Sequence, residues 1–244
     1  MRNIKLTIKF NGSRYCGWQI QKNGITVQQR LGEAVSAVTG EAPKLIGCGR
    51  TDSGVHAKMF CVSFKTESAI SAEKLPYALN AHLPEDIVCT EALDVSEDFD
   101  ACRSAKKKHY TYRILNSGIS DPFLYPFVYS VKFPLNVEKM KKAAQYFVGT
   151  HDFVGFASAG FTVKTTVRTI YSLDVEKKGD FVTIDVVGNG FLYNMVRIIA
   201  GTLIAVGSGK TDSEEISGII ASGERSRAGI TAPAKGLCLT EVIY

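Results

Sequence analysis

Arg2-Asn3-Ile4-Lys5-Leu6-Thr7-Ile8-Lys9-Phe10 and, further on, Thr26-Val27-Gln28-Gln29-Arg30-Leu31-Gly32-Glu33-Ala34-Val35-Ser36-Ala37-Val38-Thr39-Gly40 decide the fold class of this 244-residue chain. In the first stretch Ile4, Leu6, Ile8 and Phe10 alternate with Lys5, Thr7 and Lys9, the period of two that buries one face of a strand. In the second, apolar residues recur at Val27, Leu31, Ala34, Val35 and Val38. Thr26 and Gln29 stand at capping-box spacing ahead of them, and Gly40 follows the last turn. A strand followed by an amphipathic helix opens a mixed α and β protein.

Working outward, Leu45 to Cys48 reads as a short strand, and Phe60, Val62 and Phe64 mark another. A second helix is expected between Ser71 and Leu83-Pro84, then a strand around Ile87 to Ala92. The order β-α-β-β-α-β is that of the split β-α-β arrangement, an antiparallel sheet with both helices on one face, often used to present RNA on its open side. The second half reads as an elaborated copy. Strands are expected near Tyr110 to Leu115 and Phe127 to Val131, then a helix from Val137 to Val148 between Asn136 and Gly149. Strands at Thr169 to Glu176 and Phe181 to Val187 follow, with helices from Leu192 to Val206 and Ser213 to Ser222 and a last strand from Leu237 to Tyr244. The basic run Arg103, Lys106, Lys107, Lys108 interrupts the apolar periodicity and marks the seam. The expectation is therefore α+β: two ferredoxin-like, RNP-like domains, residues 1–104 and 105–244, with antiparallel sheets flanked by helices and an active-site cleft between them.

Composition narrows the class without naming a function. Hydrophobic residues make up 45% and charged residues 22%, ordinary globular usage. Lys and Arg number 29 against 24 acidic residues, a net charge of +5 that permits a polyanionic partner but falls short of a strongly basic binding module. The six cysteines are scattered, with no C-x-x-C pair and no histidine at zinc-ligand spacing, which fits reduced thiols in a cytoplasm and excludes a zinc module. The opening Met1-Arg2-Asn3-Ile4 runs straight into strand, and no later apolar run is long enough for a bilayer, so a soluble, cytoplasmic protein is expected.

The chemistry concentrates in Gly47-Cys48-Gly49-Arg50-Thr51-Asp52-Ser53-Gly54-Val55-His56-Ala57, between two expected strands. Glycines permit positive φ and close backbone approach. Asp52 could be the turn residue of a tight hairpin, or a carboxylate held ionised by Arg50 and able to attack carbon. A Ser53-His56 nucleophile lacks the strand-to-helix elbow it would need, and a phosphate-binding loop lacks Gly-Lys-Thr.

Residues Gly49 to Ala57 reproduce in full the pattern Gly-Arg-Thr-Asp-x-Gly-Val-His-Ala. With Gly12 to Gln19, Thr26-Val27-Gln28, Lys108 to Tyr112, Gly149 to Phe153, Gly190-Phe191-Leu192, Met195-Val196-Arg197 and Thr231 to Leu237, the whole chain resembles the tRNA pseudouridine synthases of the A type. The resemblance implies an isomerase that converts uridine to pseudouridine at positions 38, 39 and 40 of the tRNA anticodon stem and loop. It implies no metal and no cofactor, tRNA as substrate and a homodimer. Asp52 is then the nucleophile, Arg50 helps extrude the base or holds its gap, Tyr110 packs on the base, and Asp52 is the anionic partner that Arg197, inside an apolar helix pattern, needs. Read by themselves, Tyr110 could be a core tyrosine in register with Tyr112, Arg197 a helix arginine whose head reaches water, and Lys106 to Lys108 a solvated face. His56 is read as packing or loop hydrogen bonding, without a catalytic role. A synthase for another RNA site, or a non-catalytic tRNA-binding or folding module, are the alternatives.

Overall fold

A computed structural model of the protein describes residues 1–160 and 163–244. The chain divides into two compact units, Met1–Lys106 with Leu239–Tyr244, and Lys107–Cys238. No helix among the described residues is long and apolar enough to cross a membrane.

In the first unit the elements are β1 (Arg2–Phe10), α1 (Val27–Thr39), β2 (Ile46–Gly47), β3 (His56–Thr66), α2 (Leu75–Asn80) and β4 (Ile87–Val95). β1 lies between β3 and β4 and is antiparallel to both, with Leu6 opposite Val62 on one side and Ala92 on the other. β2 pairs antiparallel with β3 through Ile46 opposite Ser63. The order β4-β1-β3-β2 is that of the split β-α-β arrangement.

Alternation explains β1: Ile4, Leu6 and Ile8 are fully buried. Its other face is less open than expected. Asn3, Thr7, Ser63 and Cys61 are buried there too, under a cover made partly by the chain after β4 and by the C-terminus. Asn3 Nδ2 donates to the Ser96 and Phe99 carbonyls, the Ala101 N–H donates to Ser63 Oγ, and the Tyr244 hydroxyl donates to the Ala101 carbonyl. Small polar side chains read as solvent-facing are here the hydrogen-bonding lining of a covered face.

Thr26 caps α1 by accepting from the Gln29 N–H at 3.3 Å, and Gly40 ends it at φ 74°. The capping box is only half closed, because the Gln29 side chain bonds Glu33 instead of returning to Thr26. α2 is shorter than the sequence suggests. A 3-10 turn at Ala72–Lys74 leads into it, Pro76 sits in its first turn, and it stops at Asn80, whose amide bonds both backbone groups of Cys89 at 2.8 Å.

The second unit contains β5 (Lys107–Asn116), β6 (Tyr129–Val131), α3 (Val137–Gln145), β7 (Gly149–Asp152), β8 (Val167–Lys178), β9 (Phe181–Gly188), α4 (Met195–Gly207) and α5 (Glu215–Ser222). β5, β9, β8 and β7 follow one another as antiparallel neighbours, and β6 lies parallel on β5. The relation of β5, β9 and β8 repeats that of β1, β3 and β2. α4 is buried along almost its whole length, and α3 packs against it and β8. The last strand, β10 (Leu237–Ile243), is late in sequence but packs mostly with the first unit.

None of the six cysteines is in a disulfide; Cys48, Cys61 and Cys89 are buried and Cys102 is exposed. Burial pushes the Cys89 thiol up to about 12.

Thr26→Ala removes the one side-chain acceptor at the start of α1 and is expected to cost about 1 kcal/mol, read as a lower urea midpoint with an unchanged slope. An unchanged midpoint would show that the cap contributes nothing.

Candidate active site

The loop that carries Asp52 leaves β2 at Gly47 and enters β3 at His56. Its entry is shaped by close packing, since a Cβ on Gly47 would lie 2.6 Å from the Trp18 ring and 2.8 Å from Phe60. Trp18 and Phe60 are buried with ring centroids 4.4 Å apart. Within the loop Thr51, Val55 and His56 are buried, Asp52 is half-buried, and Arg50 and Ser53 are exposed. The Val55 N–H donates to the Asp52 carbonyl at 3.2 Å, closing the turn, and Gly54 takes φ 80°.

A second segment, residues 12–18, grips this loop through its backbone. The Trp18 N–H donates to the Thr51 carbonyl at 3.2 Å, and the Tyr15 carbonyl accepts from the Gly54 N–H and from Ser53 Oγ, each at 3.2 Å. The Gly12 N–H donates to His56 Nδ1 at 3.0 Å. Contact is so close that a Cβ on Gly12 would lie 1.9 Å from the Val55 carbonyl oxygen, and one on Gly17, at φ 79°, 2.2 Å from that of Thr51.

Sheet register explains why this segment lies where it does. Phe10, the end of β1, is opposite Ala57 on one side and Ile87 on the other, so the chain leaving β1 passes between the starts of β3 and β4. On the β4 side Asp86 ties it down: the Asn11 N–H donates to the Asp86 carbonyl at 2.9 Å, Tyr15 Oη to Oδ1 at 2.5 Å and Arg14 Nε to Oδ2 at 2.8 Å. Burial, then the hydrogen bond to Asp86, raises the Tyr15 phenol pKa well above its usual range.

Arg50 is exposed on this loop and Asp52 half-buried. Thr51 Oγ1, in contrast, is buried without a hydrogen-bond partner among the described residues. No group of three His, Cys, Asp or Glu among them could hold a metal ion.

In the second unit Tyr110 sits on β5 opposite Val186, is 8% exposed, and meets Phe191 edge to face at 5.3 Å. Its neighbour in register, Tyr112, is fully buried and donates to the Pro233 carbonyl at 2.7 Å. Arg197 lies in the first turn of α4, where Nε donates to the Ala232 carbonyl at 2.8 Å and Nη1 to Asn194 Oδ1 at 2.6 Å. Asn194 stands at φ 62° and bonds Ser158 Oγ through Nδ2 at 2.8 Å. Its left-handed backbone is why α4 starts at Met195 instead of at Leu192. Of the lysine run, Lys106 and Lys107 are exposed, and Lys107 lies over the Tyr171 ring at 4.9 Å.

Sequence reading missed Tyr15, Asp86 and Asn194. The only signal was for Tyr15, in the quoted block from Gly12 to Gln19, whose glycines are required by the loop they press against; Asp86 and Asn194 had none.

The half-buried aspartate thus lies on the Gly-Arg-Thr-Asp loop that carries the resemblance, presented by an antiparallel split β-α-β unit. The family model described as tRNA pseudouridine synthase matches residues 6–104 and 143–244, and the chain belongs to that family of isomerases. It is 50% identical to tRNA pseudouridine synthase A of Thermoanaerobacter sp. (strain X514) over 244 residues, covering 100% of both chains. It is 49% identical to tRNA pseudouridine synthase A 2 of Clostridium perfringens (strain 13 / Type A) and 46% identical to tRNA pseudouridine synthase A of Geotalea daltonii, each again over 100% of both. Among solved structures, that of an H/ACA RNP bound to a substrate RNA containing 2'-deoxyuridine is similar at TM-score 0.37 and 13% identity. The match covers 83% of this chain and 44% of that one, a likeness too remote to assign anything here.

Gly17→Ala forces a side chain into a left-handed position against the Thr51 carbonyl and is expected to lower stability by about 1–3 kcal/mol in urea titration. A parent-like midpoint would mean that the segment does not press on the loop.

Proposed function

We propose that the chain isomerises uridine to pseudouridine at positions 38, 39 and 40 in the tRNA anticodon stem and loop, with Asp52 as nucleophile and no metal or cofactor. The observation that carries this reading is the complete signature from Gly49 to Ala57 on a loop whose backbone is fixed on both sides of Asp52. Relatives named tRNA pseudouridine synthase A, matched end to end, support it.

The target uridine has to leave the stack before a side chain can reach it. Asp52 then attacks covalently, the bond between N1 and C1′ breaks, and the freed base turns so that C5 faces the ribose. A bond forms between C5 and C1′, the C5 proton is lost to solvent, N1 takes up a proton, and Asp52 is released. Atoms balance without oxidant or reductant. Tyr110 supplies an aromatic face for the extruded pyrimidine, a contact worth about 1–3 kcal/mol per base. Arg50, exposed on the loop, is assigned to extrusion of the base, and Arg197 to the charge balance of the carboxylate. The protein works in the cytoplasm as a homodimer, one tRNA touching both subunits.

The test is tritium release from tRNA transcripts labelled at C5 of uridine, without added metal. The parent is expected to release label from positions 38 to 40, and Asp52→Asn to be slower by roughly 10⁴-fold or more while still retaining tRNA on a filter. Equal release by Asp52→Asn would remove the nucleophile assignment, and release from other uridines would move the site. Tight tRNA binding with no release from the parent would make the protein a binding or folding module.

A further inference from the structure

We infer that His56 is a positioning residue for the Asp52 loop, acting through the acceptor lone pair of Nδ1. The inference rests on the reading of Asp52 as nucleophile and goes beyond it. Sequence leaves two accounts of His56, packing and hydrogen bonding, and the geometry separates them.

His56 is 5% exposed, and its Nδ1 accepts from the Gly12 N–H at 3.0 Å. The ring nitrogen that accepts carries no proton, which fixes the neutral tautomer with hydrogen on Nε2. Gly12 is itself buried, so without that acceptor its N–H would lose its bond away from water, and the Val55 carbonyl packed against the Gly12 Cα leaves the segment little room on that side. A buried N–H left unpaired is costly, and the backbone must move to relieve it.

Movement at Gly12 is transmitted to the nucleophile. Three residues on, the Tyr15 carbonyl accepts from Ser53 Oγ and the Gly54 N–H, and the Trp18 N–H reaches Thr51, so the segment is bonded to residues on both sides of Asp52. Backbone bonds to Ile25, Val27 and Gln28 hold its far end, and its near end is moored by His56 at the β3 side and by Asp86 at the β4 side, the latter through the 2.5 Å bond from Tyr15 Oη. Losing either lets the segment drift, and displacement by about 1 Å is enough to cost roughly 10²-fold in rate. His56 needs no contact with substrate for this, and it acts through Gly12.

Asparagine and glutamine separate the acceptor from the bulk. Asn Oδ1 stands at the same number of bonds from Cα as Nδ1, whereas Gln Oε1 stands one bond further out. His56→Asn is expected to keep kcat for tritium release from labelled tRNA within about threefold of the parent. His56→Gln and His56→Leu should lose roughly 10- to 10²-fold in kcat with little change in KM, because the loop is misplaced and the tRNA surface is not. Tyr15→Phe should lower kcat similarly, and the double variant Tyr15→Phe, His56→Gln should lose less than the sum of the two, since both free the same segment. If leucine performs as well as or better than asparagine, His56 is packing and the inference is wrong. Should His56→Leu fail to fold, the asparagine and glutamine pair decides by itself: equal rates for the two would also overturn it. Asp52→Asn runs alongside, because label released equally by that variant overturns the nucleophile reading, whereas loss in Asp52→Asn with no split between asparagine and glutamine overturns the inference alone.

Discussion

The Tyr15 carbonyl, accepting from both Ser53 Oγ and the Gly54 N–H, fixes the chain immediately after Asp52. A loop with three glycines between Gly47 and Gly54 has much backbone entropy to lose, about 1–2 kcal/mol per ordered residue, and individual hydrogen bonds return only about 1 kcal/mol each. What makes the ordered state affordable is that the loop buries Thr51, Val55 and His56 while residues 12–18 bury Trp18 against Phe60 and Gly47. The grip is thus an outcome of packing, with hydrogen bonds selecting its geometry. Donors and acceptors settled on folding need no rearrangement when substrate arrives, which is the condition under which an electrostatic or covalent group is most effective.

Topology supplies the grip. Because β1 runs between β3 and β4, its last residue is pinned to the first turn of each, and whatever follows it must run past both. In a sheet of order β1-β2-β3 the same residues would leave the edge and meet neither. The split β-α-β arrangement is therefore more than a platform here. It brings residue 12 to residue 56 and residue 15 to residue 86, contacts between positions 44 and 71 apart in the chain.

Sequence made some of this legible and hid the rest for identifiable reasons. Alternation in β1 and the cap, period and stop of α1 are local signals, and they place those elements to within a residue or two. α2 is compressed because Pro76 and Asn80 act at its ends, where a tertiary bond to Cys89 decides. β7 has only the four residues Gly149–Asp152 and no period to read. The covered face of β1 escaped because Asn3, Thr7 and Ser63 look solvent-facing until the segment after β4 is folded over them. Asp52 was visible through its motif, whereas Tyr15 was not, since it takes part through a carbonyl that any residue possesses. The glycines at 12 and 17 record that contact, but only a structure says what they are pressed against.

The second unit prepares its cation by the same means. Among the donors of Arg197, Nε goes to the Ala232 carbonyl and Nη1 to Asn194 Oδ1. Asn194 can present that oxygen because it sits at φ 62°, a conformation asparagine tolerates better than other non-glycine residues, and its Nδ2 is tied to Ser158. The Ala232 N–H in turn donates to the Arg197 carbonyl at 3.1 Å, so side chain and backbone are locked reciprocally. An arginine inside an apolar helix is costly when its donors wander and far less so when they are spent on oxygens at fixed positions. Met195-Val196-Arg197 and Thr231 to Leu237, separate blocks in the sequence, thus meet in the fold: the second carries the Ala232 carbonyl that, with Asn194, aims the guanidinium of the first.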